Sequence, residues 1–368
     1  MTDHIETICV QGGFTPGNGE PRQIPIVQST TFRYATGEAM GALFDLEAAG
    51  YFYTRLQNPT SDAVAAKICA LEGGTAAMLT SSGQAANFFA VFNIASCGDH
   101  VVASSAIYGG TFNLFAVTMK RMGVDFTFVE PNCSDAELEA AFRPNTKAVF
   151  GETIANPALT VLDIERFAKA AHADKFPGLT TPDESYHGIT YTEKFGLGGA
   201  YITKATAQLM RDFGSTPAPM NADRLNVGLE TLPLRMAKHC ANAMEVARYL
   251  EGHDKVSWVN YPGLESSPYH ALAQKYMPNG TCGVVSFGVK GGREAASKFM
   301  AGLKLASIAT HVADAKTCVL HPASTTHRQM NDAELAAAGV SPDLIRLSVG
   351  IEDIADLLAD LDQALAAL

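Results

Sequence analysis

Helix and strand alternate between residues 61 and 153, and the alternation then fails abruptly, which constrains this chain more than any other feature of it. Residues 63–71 have helical spacing, and Gly73-Gly74 then leads into a short strand expected at 76–80. Residues 84–95 are again helical in pattern. Strands are expected at 100–103, 124–129 and 148–153, with a helical stretch at 135–142 between the last two. Such alternation builds a parallel sheet covered by helices, because parallel neighbours need a long crossover connection. Residues 163–174 continue it as an amphipathic helix, with Ile164, Phe167, Ala168 and Ala171 at helical spacing. That helix should cross over to a further strand, but none follows. Phe176 to Pro182 (FPGLTTP) reads as loop and runs on to Tyr186-His187-Gly188.

Beyond the break, 222–250 reads as a long helical region able to bridge two domains, with a kink expected at Pro233. Strands at 282–289 and 344–349 and helices at 294–303 and 354–368 then make a smaller α+β domain. Residues 1–60 are rich in Gly, Pro and Thr and read as an extended arm. Ile24-Pro25-Ile26-Val27 and Phe52-Tyr53 are too apolar to be left in water, so the arm should pack on something, a second subunit being one choice. The expected organisation is an arm at 1–60, a large domain at 61–230 and a small domain at 231–368; 368 residues are too many for one ordinary core. A net charge of −11 without clustered Lys and Arg argues against nucleic acid. Seven scattered cysteines with no C-x-x-C pair argue against a disulfide framework or a zinc site and suggest a reducing compartment. No secretory signal or membrane-spanning run is read, so a soluble cytoplasmic protein is expected.

Several short motifs offer chemistry. Thr80 to Ala86 joins the expected strand to a helix through small residues. Free amides at the helix N-terminus there could seat a phosphate, or the motif is an ordinary βα loop. Tyr53-Thr54-Arg55, followed by Asn58-Pro59-Thr60, offers a guanidinium and a hydroxyl, or else a solvated arm ending in a turn. Tyr108, next to Gly109-Gly110 just past a strand end, could stack on a planar group or simply cover a loop. Asn156 lies past the next strand on the same edge. In the second domain His321 to His327 (HPASTTH) and Arg346 are polar features in apolar surroundings. A guanidinium on a half-buried strand needs an anionic partner, whether a structural carboxylate or a substrate's.

Taken in order, YTRLQNPT, SSGQAA, AIYGGT, ETIANP, HPASTTH and IRLSVGIED resemble the pyridoxal-phosphate (PLP) enzymes of Cys/Met metabolism. FPGLTTPDESYHG and KLASIATHVADAKTCVLHPASTTHRQ resemble the O-acetylhomoserine sulfhydrylase branch of that family. The resemblance covers essentially the whole chain. It implies an aspartate-aminotransferase-like, fold type I large domain with a mainly parallel sheet, plus a smaller C-terminal α+β domain. It implies pyridoxal 5'-phosphate as cofactor and γ-replacement on O-acetyl-L-homoserine with sulfide or methanethiol, giving homocysteine or methionine plus acetate. A homotetramer built from dimers is implied as well. By the same resemblance Gly83 and Gln84 hold the phosphate, and Tyr53 and Arg55 reach the phosphate of a neighbouring subunit. Tyr108 stacks on the ring and, with Tyr53, takes part in catalysis. Asn156 touches cofactor and substrate, and Ser324 and Arg346 hold the substrate carboxylate.

The chain also departs from this pattern. The family has an aspartate on the strand after the helix that ends near Asp174, then a Schiff-base lysine in a Ser-x-x-Lys context. Here Asp174-Lys175 runs straight into Phe176, and no other lysine has that context. Two strand–helix steps of about 30 residues each put the shortfall at roughly 50–60 residues. The expectation is a segment ordered by the cofactor, with a spatial break between Asp174 and Phe176. Within the class, cystathionine γ-synthase and methionine γ-lyase share these motifs. A non-catalytic paralogue follows if the lysine segment is truly deleted.

Overall fold

A computed structural model describes residues 3–171, 177–326, 328, 335 and 339–368; the expected break between Asp174 and Phe176 lies outside them. The first sheet is built on β1 (His100–Ser104), every residue of which is buried. β2 (Asp125–Val129) and β3 (Thr146–Phe150) flank it, both parallel to it, in the order β2-β1-β3. A central parallel strand is covered on both faces, so HVVAS carries no solvent side. Its one strongly polar side chain is satisfied in place: His100 Nδ1 and Nε2 lie 2.8 Å from Thr146 Oγ1 and Thr127 Oγ1 on the flanking strands. Val101 and Ala103 pack with Phe115, Met119 and Val124 on one face. Val102 packs with Leu138, Leu162 and Phe167 on the other.

The strand expected at 76–80 is not formed, although the segment leads directly into the Thr80 to Ala86 motif as expected. A parallel strand exists only through its neighbours, and no described strand lies beside this one. The loop expected over 176–182 contains a helical turn, Pro177–Thr180, with a 3₁₀ turn at Glu184–Tyr186. The helix Tyr191–Lys204 follows and was not legible in the sequence. Gly196 breaks it with φ 69°, and Gly198 and Gly199 dilute its apolar spacing.

The long helical region is two helices, Pro219–Glu230 and Leu232–Glu251, separated at Thr231. Pro233 therefore sits in the first turn of the second helix, where its missing N–H costs nothing, and it does not kink a helix interior. The second sheet has the order β4-β5-β8-β7-β6, from β4 (Val256–Asn260), β5 (Val284–Val289), β6 (Ser307–Ile308), β7 (Cys318–Leu320) and β8 (Leu344–Ser348). Its pairs are antiparallel except β6 with β7. Val285, Phe287, Ile345 and Leu347 form its core with the helices Leu232–Glu251, Gly292–Gly302 and Ile354–Ala366.

The arm is fastened to the helix Pro59–Leu71, which Asn58 caps by accepting the Thr60 amide at 3.0 Å. Asn58 Nδ2 also donates to the Val27 carbonyl (2.8 Å). Thr60 Oγ1 donates to the Pro25 carbonyl (2.7 Å) and accepts the Val27 amide (2.9 Å). Ile24 finds its apolar cover inside its own chain, against Val64 and Ala222, while Ile26 and Tyr53 stay exposed. One turn into the same helix Asp62 accepts the Tyr51 hydroxyl, and burial pushes its carboxyl up from 3.8 to about 6.

A raised folded-state pKa makes the protonated form of Asp62 the stable one. Its contribution is fully present below the unfolded carboxyl value and is lost as pH rises through about 6. Asp62→Asn keeps an acceptor for Tyr51 without the charge. Urea midpoints of variant and wild type should therefore lie close together near pH ~4 and separate in the variant's favour by pH ~7. Parallel curves over that range would mean that Asp62 titrates normally.

Candidate active site

Three loops, one leading into the helix Gly83–Phe92 and two at the carboxyl ends of β1 and β3, converge with one strand of the second sheet. Ser82 caps that helix by accepting the Ala85 amide at 3.1 Å, which leaves the amides of Gly83 and Gln84 without an acceptor among the described residues. These amides, at the positive end of a ten-residue helix, suit a phosphate. Gln84 Oε1 accepts Thr111 Oγ1 at 3.1 Å, and Thr111 is fully buried, so this turn is tied to the Tyr108 loop.

Tyr108 opens the short helix Gly109–Asn113. Its amide donates to Glu152 Oε1 at 2.9 Å, from just past the end of β3. Burial raises the Glu152 carboxyl above its ordinary value, and the Tyr108 amide opposes that rise. The Tyr108 ring is 53% exposed and lies across Gly110, where an added Cβ would come within 2.5 Å of it. A glycine here is what lets the ring lie down over the loop.

Asn156 follows β3 in a turn with a cis Asn156–Pro157 bond. The second sheet clamps this turn three times. Ser286 Oγ donates to the Pro157 carbonyl at 2.6 Å, Asn260 Nδ2 donates to the Ala158 carbonyl, and Arg346 Nη1 donates to Asn156 Oδ1 at 3.3 Å. Arg346 is only 6% exposed. Its Nη2 donates to the His311 carbonyl at 2.9 Å, while its buried Nε has no partner, and no carboxylate among the described residues pairs with it. Burial lowers its pKa, and Tyr108 is near enough to oppose that electrostatically. A buried guanidinium with an unused donor is a place for a carboxylate from outside the chain.

Ser324, expected beside Arg346, is engaged locally: its Oγ lies 2.8 Å from His321 Nδ1, while His321 Nε2 meets the Pro342 carbonyl at 2.8 Å. Tyr53 and Arg55 stand apart from Tyr108, Asn156 and Arg346. They line a cavity of about 760 Å³ with Phe32, Tyr186 and Arg211. The Arg55 guanidinium lies 5.2 Å over the Tyr53 ring and donates to the Arg211 carbonyl. Arg55 also packs on Gly214, and the Ser215 carbonyl accepts the Ser81 amide at 2.7 Å, so arm and phosphate loop share one strap. Sequence reasoning gave no role to Glu152 or Thr111, and took Gly110 only as one of two glycines that permit close approach beside Tyr108. Their only signal is their place inside motifs read for other residues.

The residues present fit pyridoxal phosphate at three points: free amides for the phosphate, an exposed ring for stacking, and a buried cation for an amino acid's carboxylate. Of the lysines with most cover among the described residues, buried Lys67 donates from Nζ to Asn226 Oδ1 (2.6 Å) and half-buried Lys204 donates from Nζ to the Asn93 carbonyl (2.9 Å), while Lys175 lies outside the described residues.

The family model described as "Cys/Met metabolism PLP-dependent enzyme" matches residues 6–191 and 195–366. The homocysteine synthase of Schizosaccharomyces pombe is 40% identical over 427 aligned positions, which cover 99% of this chain and 98% of that protein. The O-acetyl-L-homoserine sulfhydrylase of Leptospira meyeri is 39% identical, covering 98% and 96%. Among solved structures, a candidate O-acetylhomoserine (thiol)-lyase of Campylobacter jejuni matches with a TM-score of 0.94 at 32% identity. The match covers 99% of this chain and all of that one, in which a lysine carries a pyridoxyl phosphate group. The 427 positions of the first alignment exceed the 368 residues of this chain by 59, so at least 59 of them have no counterpart here.

The Gly110 contact makes a prediction. Gly110→Ala favours the helix but displaces the Tyr108 ring. Fluorescence titration should show pyridoxal phosphate binding weakened by about two- to tenfold, the equivalent of about 0.5–1.5 kcal/mol of stacking. Tm should hold or rise. Unchanged affinity would mean that the Tyr108 ring is not a stacking platform.

Proposed function

The chain belongs to the Cys/Met-metabolism PLP-dependent enzymes, and on that premise we propose that it serves γ-replacement on O-acetyl-L-homoserine, with sulfide or methanethiol as the incoming nucleophile. Its fold is the fold type I of PLP enzymes, a large domain with a mainly parallel sheet and a smaller C-terminal α+β domain. The overall change breaks the Cγ–O bond of the substrate, with acetate leaving on the electron pair, and forms a Cγ–S bond to the nucleophile. Homocysteine results from sulfide and methionine from methanethiol. Pyridoxal phosphate, when bound, supplies the electron sink that makes the Cα proton acidic.

The chain's own residues divide the remaining work. Gly83 and Gln84 hold the phosphate through their amides. Tyr108 covers the ring, and its hydroxyl moves protons at the substrate carbons. Asn156 orients the substrate beside Arg346, whose unused Nε and neighbouring Nη donate to the α-carboxylate as a fork. Ser324 adds a hydroxyl to that end once it turns from His321. Tyr53 and Arg55 serve the phosphate of an adjacent subunit, in a cytoplasmic homotetramer built from dimers. No helix among the described residues is long and apolar enough to cross a membrane. The observation that carries this reading is the buried, unpaired Nε of Arg346 beside Asn156.

A stable conjugate, phosphopyridoxyl-homoserine, tests the reading without any need for an anchoring lysine. It should bind the wild-type chain. Arg346→Lys keeps the charge but loses the fork, so conjugate affinity should fall tenfold or more, about 1.5–3 kcal/mol for a lost charge-assisted bond. Affinity for pyridoxal phosphate alone should change little. An equal loss for both ligands would assign Arg346 to the fold rather than to the carboxylate. For the arm, Arg55→Ala should weaken cofactor retention in the oligomer. A dilute monomer that retains cofactor as tightly as the oligomer would contradict the intersubunit role.

A further inference from the structure

Two side chains of the helix Gly83–Phe92 share one buried hydroxyl. Gln84 and Asn87 stand three residues apart, on one face of that helix. The face meets the short helix Gly109–Asn113 at Thr111, which is fully buried. Asn87 Nδ2 donates to Thr111 Oγ1 at 2.9 Å, and Thr111 Oγ1 donates in turn to Gln84 Oε1 at 3.1 Å. Asn87 Nδ2 also lies 3.5 Å from Gln84 Oε1, so the three groups close into a ring.

The ring sets a direction. A hydroxyl has one proton to give, and a carboxamide has one accepting end and one donating end. Thr111 accepts from Asn87 and spends its own proton on Gln84, so the end of Gln84 that meets it is the oxygen. The half-buried Gln84 amide is thereby held in one of its two flips, with Nε2 turned away from Thr111 and without an acceptor among the described residues. The helix end does not need this ring in order to form. Ser82 already caps it, Thr80 Oγ1 donates to the Ser82 carbonyl at 2.9 Å, and the Ser81 amide is held by the Ser215 carbonyl. What the ring adds is the orientation of one free donor beside the two free backbone amides.

We propose that Gln84 is a phosphate ligand through its side chain as well as its backbone. Nε2 donates to the phosphate seated on the Gly83 and Gln84 amides, and Thr111 and Asn87 are the positioning residues that keep the amide in that flip. This deepens the PLP reading above and rests on it. A phosphate has three strong acceptor oxygens, more than two backbone amides satisfy, and it has room for a further donor. The opposite flip would present the amide oxygen, which repels an oxyanion. Backbone and side-chain amides belong to one residue in the first turn of the helix, so both lie within a side chain's length of the same anion.

Two stable conjugates, phosphopyridoxyl-homoserine and pyridoxyl-homoserine, differ only in the phosphate. Titrated into the full chain, the ratio of their affinities reads the phosphate contribution alone. Gln84→Met keeps the length and loses the amide, and it should lower that ratio by about tenfold. Thr111→Val removes the proton that sets the flip and should lower it by about threefold, while Thr111→Ser keeps the hydroxyl and should restore it. Affinity for pyridoxyl-homoserine should stay the same in all three variants, which also checks that each is folded. An unchanged ratio in Gln84→Met overturns the proposal. Equal losses for both conjugates overturn it too, since the three side chains then serve the fold. A wild-type chain that binds neither conjugate removes the PLP reading and this proposal with it, whereas tight wild-type binding with the ratio unchanged in the variants removes only the side-chain donor.

Discussion

A cation buried between two sheets is the constraint on which the rest of this structure depends. Arg346 stands in β8 with apolar neighbours on either side in sequence, and burying its charge without an anion is costly. The chain answers that cost only in part, with the Asn156 amide oxygen and the His311 carbonyl. The same contacts fix the turn that follows β3 against β5 and β8, so the first sheet is registered on the second where the charge is left short. A ligand carboxylate would complete the set. On the proposed reading, the stability of that junction and the recognition of an amino acid are one arrangement.

The other half of the site follows from parallel pairing. β1 and β3 run the same way, so their carboxyl ends deliver Tyr108 and Glu152 to one edge, where the Glu152 carboxylate holds the Tyr108 amide. Gln84 and Thr111 then tie the phosphate turn to the tyrosine loop.

Much of this was legible in the sequence where an element carries its own signal. β1 with its unbroken apolar run, the alternation around Arg346 in β8, and the amphipathic C-terminal helix all form close to the expected residues. Residues 76–80 have the composition of a strand, but composition cannot supply the neighbour that would make them one. The helix Tyr191–Lys204 was hidden by three glycines, and its burial of Tyr191 and Ala200 is a tertiary fact. At the site, motif reading picked out Tyr108, Asn156 and Arg346 singly. Their convergence depends on the packing of one sheet against the other. Glu152 acquires meaning only from a carboxylate–amide distance, and the close approach that Gly110 permits takes form as a ring–Cβ contact. The crossover helix without its strand was visible in the sequence, and the alignment with the S. pombe relative carries at least 59 positions that this chain does not, while the expected break itself lies outside the described residues.

The unanswered charge of Arg346 is tested most directly by comparing the affinities of phosphopyridoxyl-homoserine and its decarboxylated counterpart, which differ only in the α-carboxylate. The account predicts binding of the carboxylate-bearing conjugate about tenfold tighter or more. Equal affinities would contradict it.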